Sequence, residues 1–186
     1  GRLVLAHAGP LRLDDLNRQS LMSHAGIGKP RMASAVRRLK ELNPRLEVEG
    51  VEENVSEENA ARLVGKADLA LGAAPLFGER FLMNRECVRA GKPYVDAAMF
   101  GMELSVMSVR PGTPCLSCLY PEEPPAWKRR FPVLGAVAHA AGALGAAEAI
   151  KLLTGLGEPL AGRLLRGDLS DMSFRTIRLS SGPCPH

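Results

Sequence analysis

The sequence predicts an open α/β domain, in which a mostly parallel, doubly wound sheet carries helices on both faces and ends in an antiparallel extension. Three observations support this. Strand-like and helix-like segments alternate over the first hundred residues, the pattern of a parallel sheet joined by crossover helices. The segment 67–73 is almost continuously apolar, as a strand buried on both faces would be. Hydrophobic residues make up 46% of the chain and aromatics only 4%, which excludes disorder for most of it and requires a core of aliphatic side chains. At 186 residues the chain has the size of one domain.

The elements follow in order. Residues 2–7 read as a strand ended by Gly9-Pro10. A helix begins at Pro30, whose fixed φ suits a first turn, and Met32, Ala35, Val36, Leu39 and Leu42 recur on one face before Asn43-Pro44 stops it. Residues 46–51 alternate apolar and polar, a half-solvated strand. Residues 56–65 form a short helix with Ser56 as N-cap, followed by the strand 67–73. A helix over 77–90 leads through Gly91 to a strand over 94–99, and 103–110 is a further strand. A long helix over 133–154, rich in glycine and alanine, is capped by Gly155. Residues 163–180 form a hairpin around Ser170-Asp171. The stretch 121–132 is linker-like.

Charge excludes little. The formal net charge is +4, but 24 basic residues are scattered among 20 acidic ones, and the densest cluster is Lys128-Arg129-Arg130. No nucleic-acid partner is expected. The apolar run over 133–147 falls short of a bilayer span, so no membrane segment is expected. The first residues lack a signal-peptide layout, so a cytoplasmic location is expected. The C-x-x-C pair Cys115 and Cys118, in a chain with that expected location, favours metal over a disulfide framework, with zinc leading; unrelated reduced thiols are the alternative.

Several segments carry a further signal together: Leu13-Asp14-Asp15-Leu16-Asn17-Arg18-Gln19; Ile27-Gly28-Lys29-Pro30-Arg31 leading to Leu42-Asn43-Pro44; and residues 77–80 with Asn84. Thr113-Pro114-Cys115-Leu116-Ser117-Cys118, the stretch from 133 to Glu148-Ala149-Ile150-Lys151, and Cys184-Pro185-His186 continue it. In order and spacing they resemble the ThiF/MoeB/HesA family, bacterial relatives of ubiquitin-activating enzymes. The resemblance implies a Rossmann-like domain that binds ATP and Mg²⁺ and adenylates the C-terminus of a ubiquitin-like or sulfur-carrier protein, usually as a homodimer. It covers residues 1–186 as a single domain, while the family's glycine-rich βα unit would precede Gly1.

The resemblance makes Arg18 and Arg31 the expected catalytic cations, and Asp15, Arg18, Gln19 and Arg31 the expected nucleotide-binding residues. A guanidinium fork suits phosphate because it donates two parallel hydrogen bonds. The bland alternative for Arg18 and Gln19 is a solvated loop. Departures from the family pattern are several. Arg31 stands where the family has a lysine, and Asp15 where it has an asparagine. His7 and Gly9 replace the aspartates of the first strand, one of which grips the ribose. Gly72 and Pro75 replace aspartates, one of which helps place Mg²⁺; Asp96 is a possible substitute.

For the metal, Cys115, Cys118 and Cys184 match family zinc ligands, and the fourth is either His186 or a cysteine beyond it. Such a closed site is structural rather than catalytic. Residues 119–131 contain no cysteine nucleophile, and Cys87, among apolar neighbours on its helix, reads as a buried hydrophobe. The expected function is therefore ATP-dependent adenylation; the alternative is a catalytically degenerate family member acting as a binding or scaffolding subunit. A nucleotide-dependent oxidoreductase is disfavoured because no G-x-G-x-x-G follows a strand.

Overall fold

A computed structural model describes residues 1–122, 124, 131–180, 184 and 186 of the chain. Lys128-Arg129-Arg130 and Pro185 lie outside the described residues. The chain divides into two compact units, Gly1–Asn59 and Ala60–His186.

In the first unit, β1 (Arg2–Ala6) and β2 (Glu47–Val51) pair in parallel, from Arg2 opposite Glu47 to Ala6 opposite Val51. Helix α1 (Arg31–Leu42) crosses between them and buries Met32 and Ala35. Its Val36 and Met32 side chains sit over Gly50 of β2, where a Cβ would come within 3.0 Å of Val36 Cγ2. Pro30 has ψ 140°, so it caps the helix from outside rather than opening its first turn. The loop between β1 and α1 is pinned by backbone bonds from Leu11 N–H to Lys29 O (2.9 Å) and from Gly28 N–H to Leu11 O (2.8 Å), which bury Leu11.

In the second unit, the sheet runs in the order β3 (Ala70–Gly72), β4 (Tyr94–Phe100), β5 (Glu103–Val109), β6 (Arg163–Asp168), β7 (Ser173–Arg178). The β3–β4 pair is parallel and the other ladders antiparallel, which is the C-terminal extension the sequence predicts. Side chains alternate along β4 and β5. Tyr94, Met107 and Val109 pack with Val64, Cys87, Cys115 and Leu116 on one face. Val95, Ala97, Leu104 and Val106 pack with Val137 and Ala141 on the other. Helices α2 (Ala60–Gly65), α3 (Phe77–Arg89) and α4 (Leu116–Leu119) supply the first layer and α5 (Gly135–Thr154) the second. These are the helices on both faces that the α/β reading requires.

Two local expectations are corrected. Ser56 is not a helix N-cap: α2 starts at Ala60, and Ser56 instead donates its hydroxyl to Glu58 (2.6 Å) while Asn59 Oδ1 accepts its backbone N–H (2.9 Å). The apolar run does not stop at 147 but continues as the 20-residue α5, long and apolar enough by length and composition to cross a membrane. Its packing is that of a sheet-covering helix. Gly145 lies so close to β4 that a Cβ there would meet Ala97 Cβ at 2.9 Å. One turn on, the buried Glu148 carboxylate accepts Ser108 Oγ–H of β5 (2.6 Å) and Leu160 N–H (2.7 Å), and pairs with Lys151. The helix ends at Gly155, φ 73°, as the sequence predicts.

Candidate functional site

Ligands of open α/β folds sit beyond the carboxyl ends of parallel strands. In the first unit that place holds a hollow of about 230 Å³, with His7 and Glu52, the residues following β1 and β2, on its wall together with Gly9, Gly28, Arg31 and Met32. Arg31 thus lies on the wall of this hollow. Asp15, Arg18 and Arg31 form one cluster. The buried Asp15 carboxylate takes Arg18 Nη2 at 3.1 Å on one oxygen and Arg31 Nη2 at 3.0 Å on the other, and also accepts Arg12 N–H at 2.9 Å. Two cations against one anion leave the cluster with a positive balance.

Asp15 thus points at its own arginines, and their two guanidinium groups offset its charge. The guanidinium groups are also tied down by other acceptors. Arg31 donates Nε and Nη2 to Pro10 O (3.3 and 3.1 Å) and approaches His7 Nε2 at 2.8 Å. Arg31 can only donate, so in this contact His7 Nε2 is placed as the acceptor. Arg18 donates to Asp14 O (2.8 Å) and Asn17 Oδ1 (2.9 Å). Gln19 is half-buried and its backbone N–H donates to Asp15 O (3.0 Å); it is not on the wall of the hollow. Glu52 was missed in the sequence, although its position directly after a strand was the available signal.

In the second unit, the packing at position 72 leaves no room for the family's carboxylate. A Cβ on Gly72 would lie 2.0 Å from the Tyr94 hydroxyl, so an aspartate cannot be housed there. Asp96 is no free substitute. Its two oxygens accept Arg80 Nε at 2.9 Å and Arg80 Nη2 at 2.6 Å, and Tyr94 O–H lies 3.2 Å away. Arg80 in turn stacks over the Phe77 ring at 4.4 Å. Burial disfavours the Arg80 charge, but the Asp96 hydrogen bonds and charge outweigh it and raise its pKa. Burial, followed by the Asp96 charge, pushes the Tyr94 hydroxyl well above its ordinary value. Positions 72, 75 and 96 therefore do not fit a carboxylate-held Mg²⁺.

Three cysteines the sequence singles out do come together. The Sγ atoms of Cys115, Cys118 and Cys184 lie within 4.8 Å of one another, with Cys118 and Cys184 at 3.8 and 3.4 Å from Cys115. Thiolates bound to one zinc at about 2.3 Å stand roughly 3.8 Å apart in a tetrahedron. The cluster can hold a metal of that kind. Burial pushes the Cys115 thiol up, but hydrogen bonds from Asn84, Cys118, Cys184 and Ser117 outweigh it and lower its pKa. His186 is not brought into this cluster: its Nε2 lies 3.0 Å from Ser117 Oγ. Burial, then the charges of Arg89 and Arg85, lowers its pKa. Cys87 is fully buried, and burial pushes its thiol up to about 12, the behaviour of a packed hydrophobe rather than a nucleophile.

Protein HesA, vegetative, of Trichormus variabilis is 49% identical over 179 residues, which cover 96% of this chain and 68% of that protein. The sulfur carrier protein adenylyltransferase of Thermus thermophilus is 34% identical over 196 residues, covering 100% of this chain and 72% of that one. Among solved structures, E. coli MccB with MccA-N7isoASN superposes with a TM-score of 0.86 at 22% identity, which establishes a shared Rossmann-like fold. All of this chain is covered in that superposition, and it spans 59% of the MccB chain. The ThiF family matches residues 1–185, the whole length in which the arginine cluster, the glycine at 72 and the cysteines are found, and the chain belongs to the ThiF family.

Proposed function

We propose that this protein activates the C-terminal carboxylate of a ubiquitin-like or sulfur-carrier protein by ATP-dependent adenylation. The observation that carries the reading is the Asp15 clamp, which joins Arg18 and Arg31 in one cationic cluster whose Arg31 lines the hollow beyond β1 and β2, with Arg18 and Asp15 off its wall. In the reaction a carboxylate oxygen bonds to the α-phosphorus and pyrophosphate leaves, so anionic groups must be held together while charge moves to the leaving group. The Arg31 guanidinium at the wall faces that charge, Arg18 reinforces it through Asp15, and Gln19 extends the same loop. The relative named for sulfur-carrier adenylylation and the SAMP-activating enzyme E1 of Haloferax volcanii, 34% identical over 190 residues, support the substrate class. Mg²⁺ accompanies the nucleotide in this family. Glu52 is the carboxylate this hollow offers, and no step is assigned through the ion.

We further infer that zinc occupies the Cys115, Cys118 and Cys184 cluster in a structural role, since a set of three thiolates belongs to structural rather than catalytic zinc sites. The exposed face of α5, with Ala136, His139, Ala143, Ile150 and Leu153, is the surface proposed for homodimer contact. A cytoplasmic location is proposed with it, since a C-x-x-C pair read as a zinc site suits a reducing compartment.

A second reading, a binding or scaffolding subunit without catalysis, is favoured by the filled space at Gly72 and by the engagement of Arg31 with His7, Pro10 and Asp15. Calorimetric titration of the full-length protein with Mg-ATP, then pyrophosphate exchange with candidate carriers, separates the two. Adenylation predicts measurable binding, weakened about 10- to 100-fold in Arg31→Ala, the effect of losing a hydrogen bond to a charged group. Absence of heat and exchange from the folded protein leaves only the scaffold.

A further inference from the structure

The cysteine cluster has a neighbour that the catalytic reading does not use. Asn84 of α3 is completely buried, one turn beyond Arg80 on the same helix. Its Oδ1 accepts the backbone N–H of Leu116, the residue after Cys115, at 3.0 Å. That bond settles the amide's orientation, because a backbone N–H can only donate and must face oxygen. Nδ2 consequently points the other way. It is buried and has no hydrogen-bond partner, sulfur included, among the described residues. A buried donor left in that state is costly, so it requires an acceptor.

The acceptor at hand is sulfur. Asn84 is one of the groups that interact with the Cys115 side chain. Cys115 is itself completely buried, so water does not serve its sulfur. A thiolate bound to a metal retains electron density that an N–H group can meet, and such outer partners orient metal ligands.

We propose that Asn84 is the positioning residue of the sulfur cluster, its carbonyl fixing the chain after Cys115 while its amide N–H is directed at the Cys115 sulfur. The inference rests on the metal reading above. One side chain then sets both the backbone and the sulfur of the same ligand, and couples α3 to the metal.

The test uses Asn84→Asp in the full-length protein, which keeps an oxygen for Leu116 N–H and removes the donor to sulfur. Zinc affinity is measured by competition with a chromophoric chelator, on metal-free protein whose fold is checked by circular dichroism and urea unfolding. The expected result is affinity 10- to 100-fold weaker than wild type, the usual effect of losing such a partner. A purely structural role would lower metal-free stability and leave affinity unchanged, which would overturn the proposal. A second measurement needs no variant. In wild-type protein loaded with ¹¹³Cd²⁺, the Asn84 side-chain amide proton should show scalar coupling to cadmium across the N–H···S bond, and its absence from an otherwise assigned spectrum counts against the proposal. Wild-type protein holding less than about half a zinc per chain defeats the metal reading and this inference with it. Full loading with unchanged Asn84→Asp affinity defeats the inference alone.

Discussion

Arg80 keeps its charge with 5% of its surface exposed, and Asp96, 2% exposed, is what makes that tolerable. Two parallel hydrogen bonds at 2.9 and 2.6 Å satisfy the fork, and the Phe77 face covers the cation from above. Removing one partner of a buried pair strands the other, which costs about 3–5 kcal/mol. Asp96→Asn is expected to lower unfolding free energy by that order in urea titration; a loss below about 1 kcal/mol would show that the pair contributes little. Cys87 gives a pH-dependent counterpart. Its thiol ionises near 9.0 when unfolded and at about 12 in the fold, because burial opposes the thiolate. The unfolded chain therefore loses its proton first. The stability that Cys87 contributes is complete below pH 9 and is lost as pH rises from there through about 12, with a slope approaching about 1.4 kcal/mol per pH unit. Tyr94 titrates in the same direction, so the difference in slope between wild type and Cys87→Ala isolates the thiol, and superimposable slopes would refute it.

At the scale of elements, α5 illustrates how small residues do work in packing. Gly145 faces Ala97 of β4 with no room for a methyl group, whereas a Cβ on Gly142 meets nothing within 4 Å. Gly145→Ala is expected to destabilise by about 1–3 kcal/mol through overpacking. Gly142→Ala, gaining helix propensity in open space, is expected to stabilise by up to about 1 kcal/mol. Thermal unfolding of the two variants checks the contrast, and equal shifts would contradict it. The same helix shows what the residue pattern made legible. Its small-residue composition, its glycine C-cap and the flanking hairpin are readable because each depends on neighbours in sequence. Ser56 was misread as a cap because Glu58 and Asn59 compete for its groups, a choice the local pattern does not decide. The site was legible in part for a related reason. Arg18, Arg31 and the three cysteines sit in short motifs, but the Asp15 clamp, the Tyr94 hydroxyl over Gly72 and the Asn84 bond to Leu116 join residues whose relation appears only on folding.

For the molecule as a whole, the cysteine cluster joins parts of the chain that are distant in sequence. Cys115 immediately precedes the short α4, Cys118 lies within it, and Cys184 follows β7, so a bound ion closes the stretch of chain containing α5, β6 and β7. Closing so long a loop restricts the unfolded chain much as a disulfide would, and binding free energy becomes folding free energy because the three sulfurs meet only in the fold. At free zinc about 100 times its dissociation constant, the gain is about 2.7 kcal/mol. For a chain of this size that corresponds to a fall in Tm of roughly 5–10 °C when a chelator removes the ion. Cys184→Ser should show the lower Tm with and without zinc, since the tie is cut at its far end while the Cys115–Cys118 pair stays in place. A wild-type Tm that ignores both zinc and chelator would mean the sulfurs meet without a metal, and stability would then come from the two sheet faces and the Arg80–Asp96 pair alone.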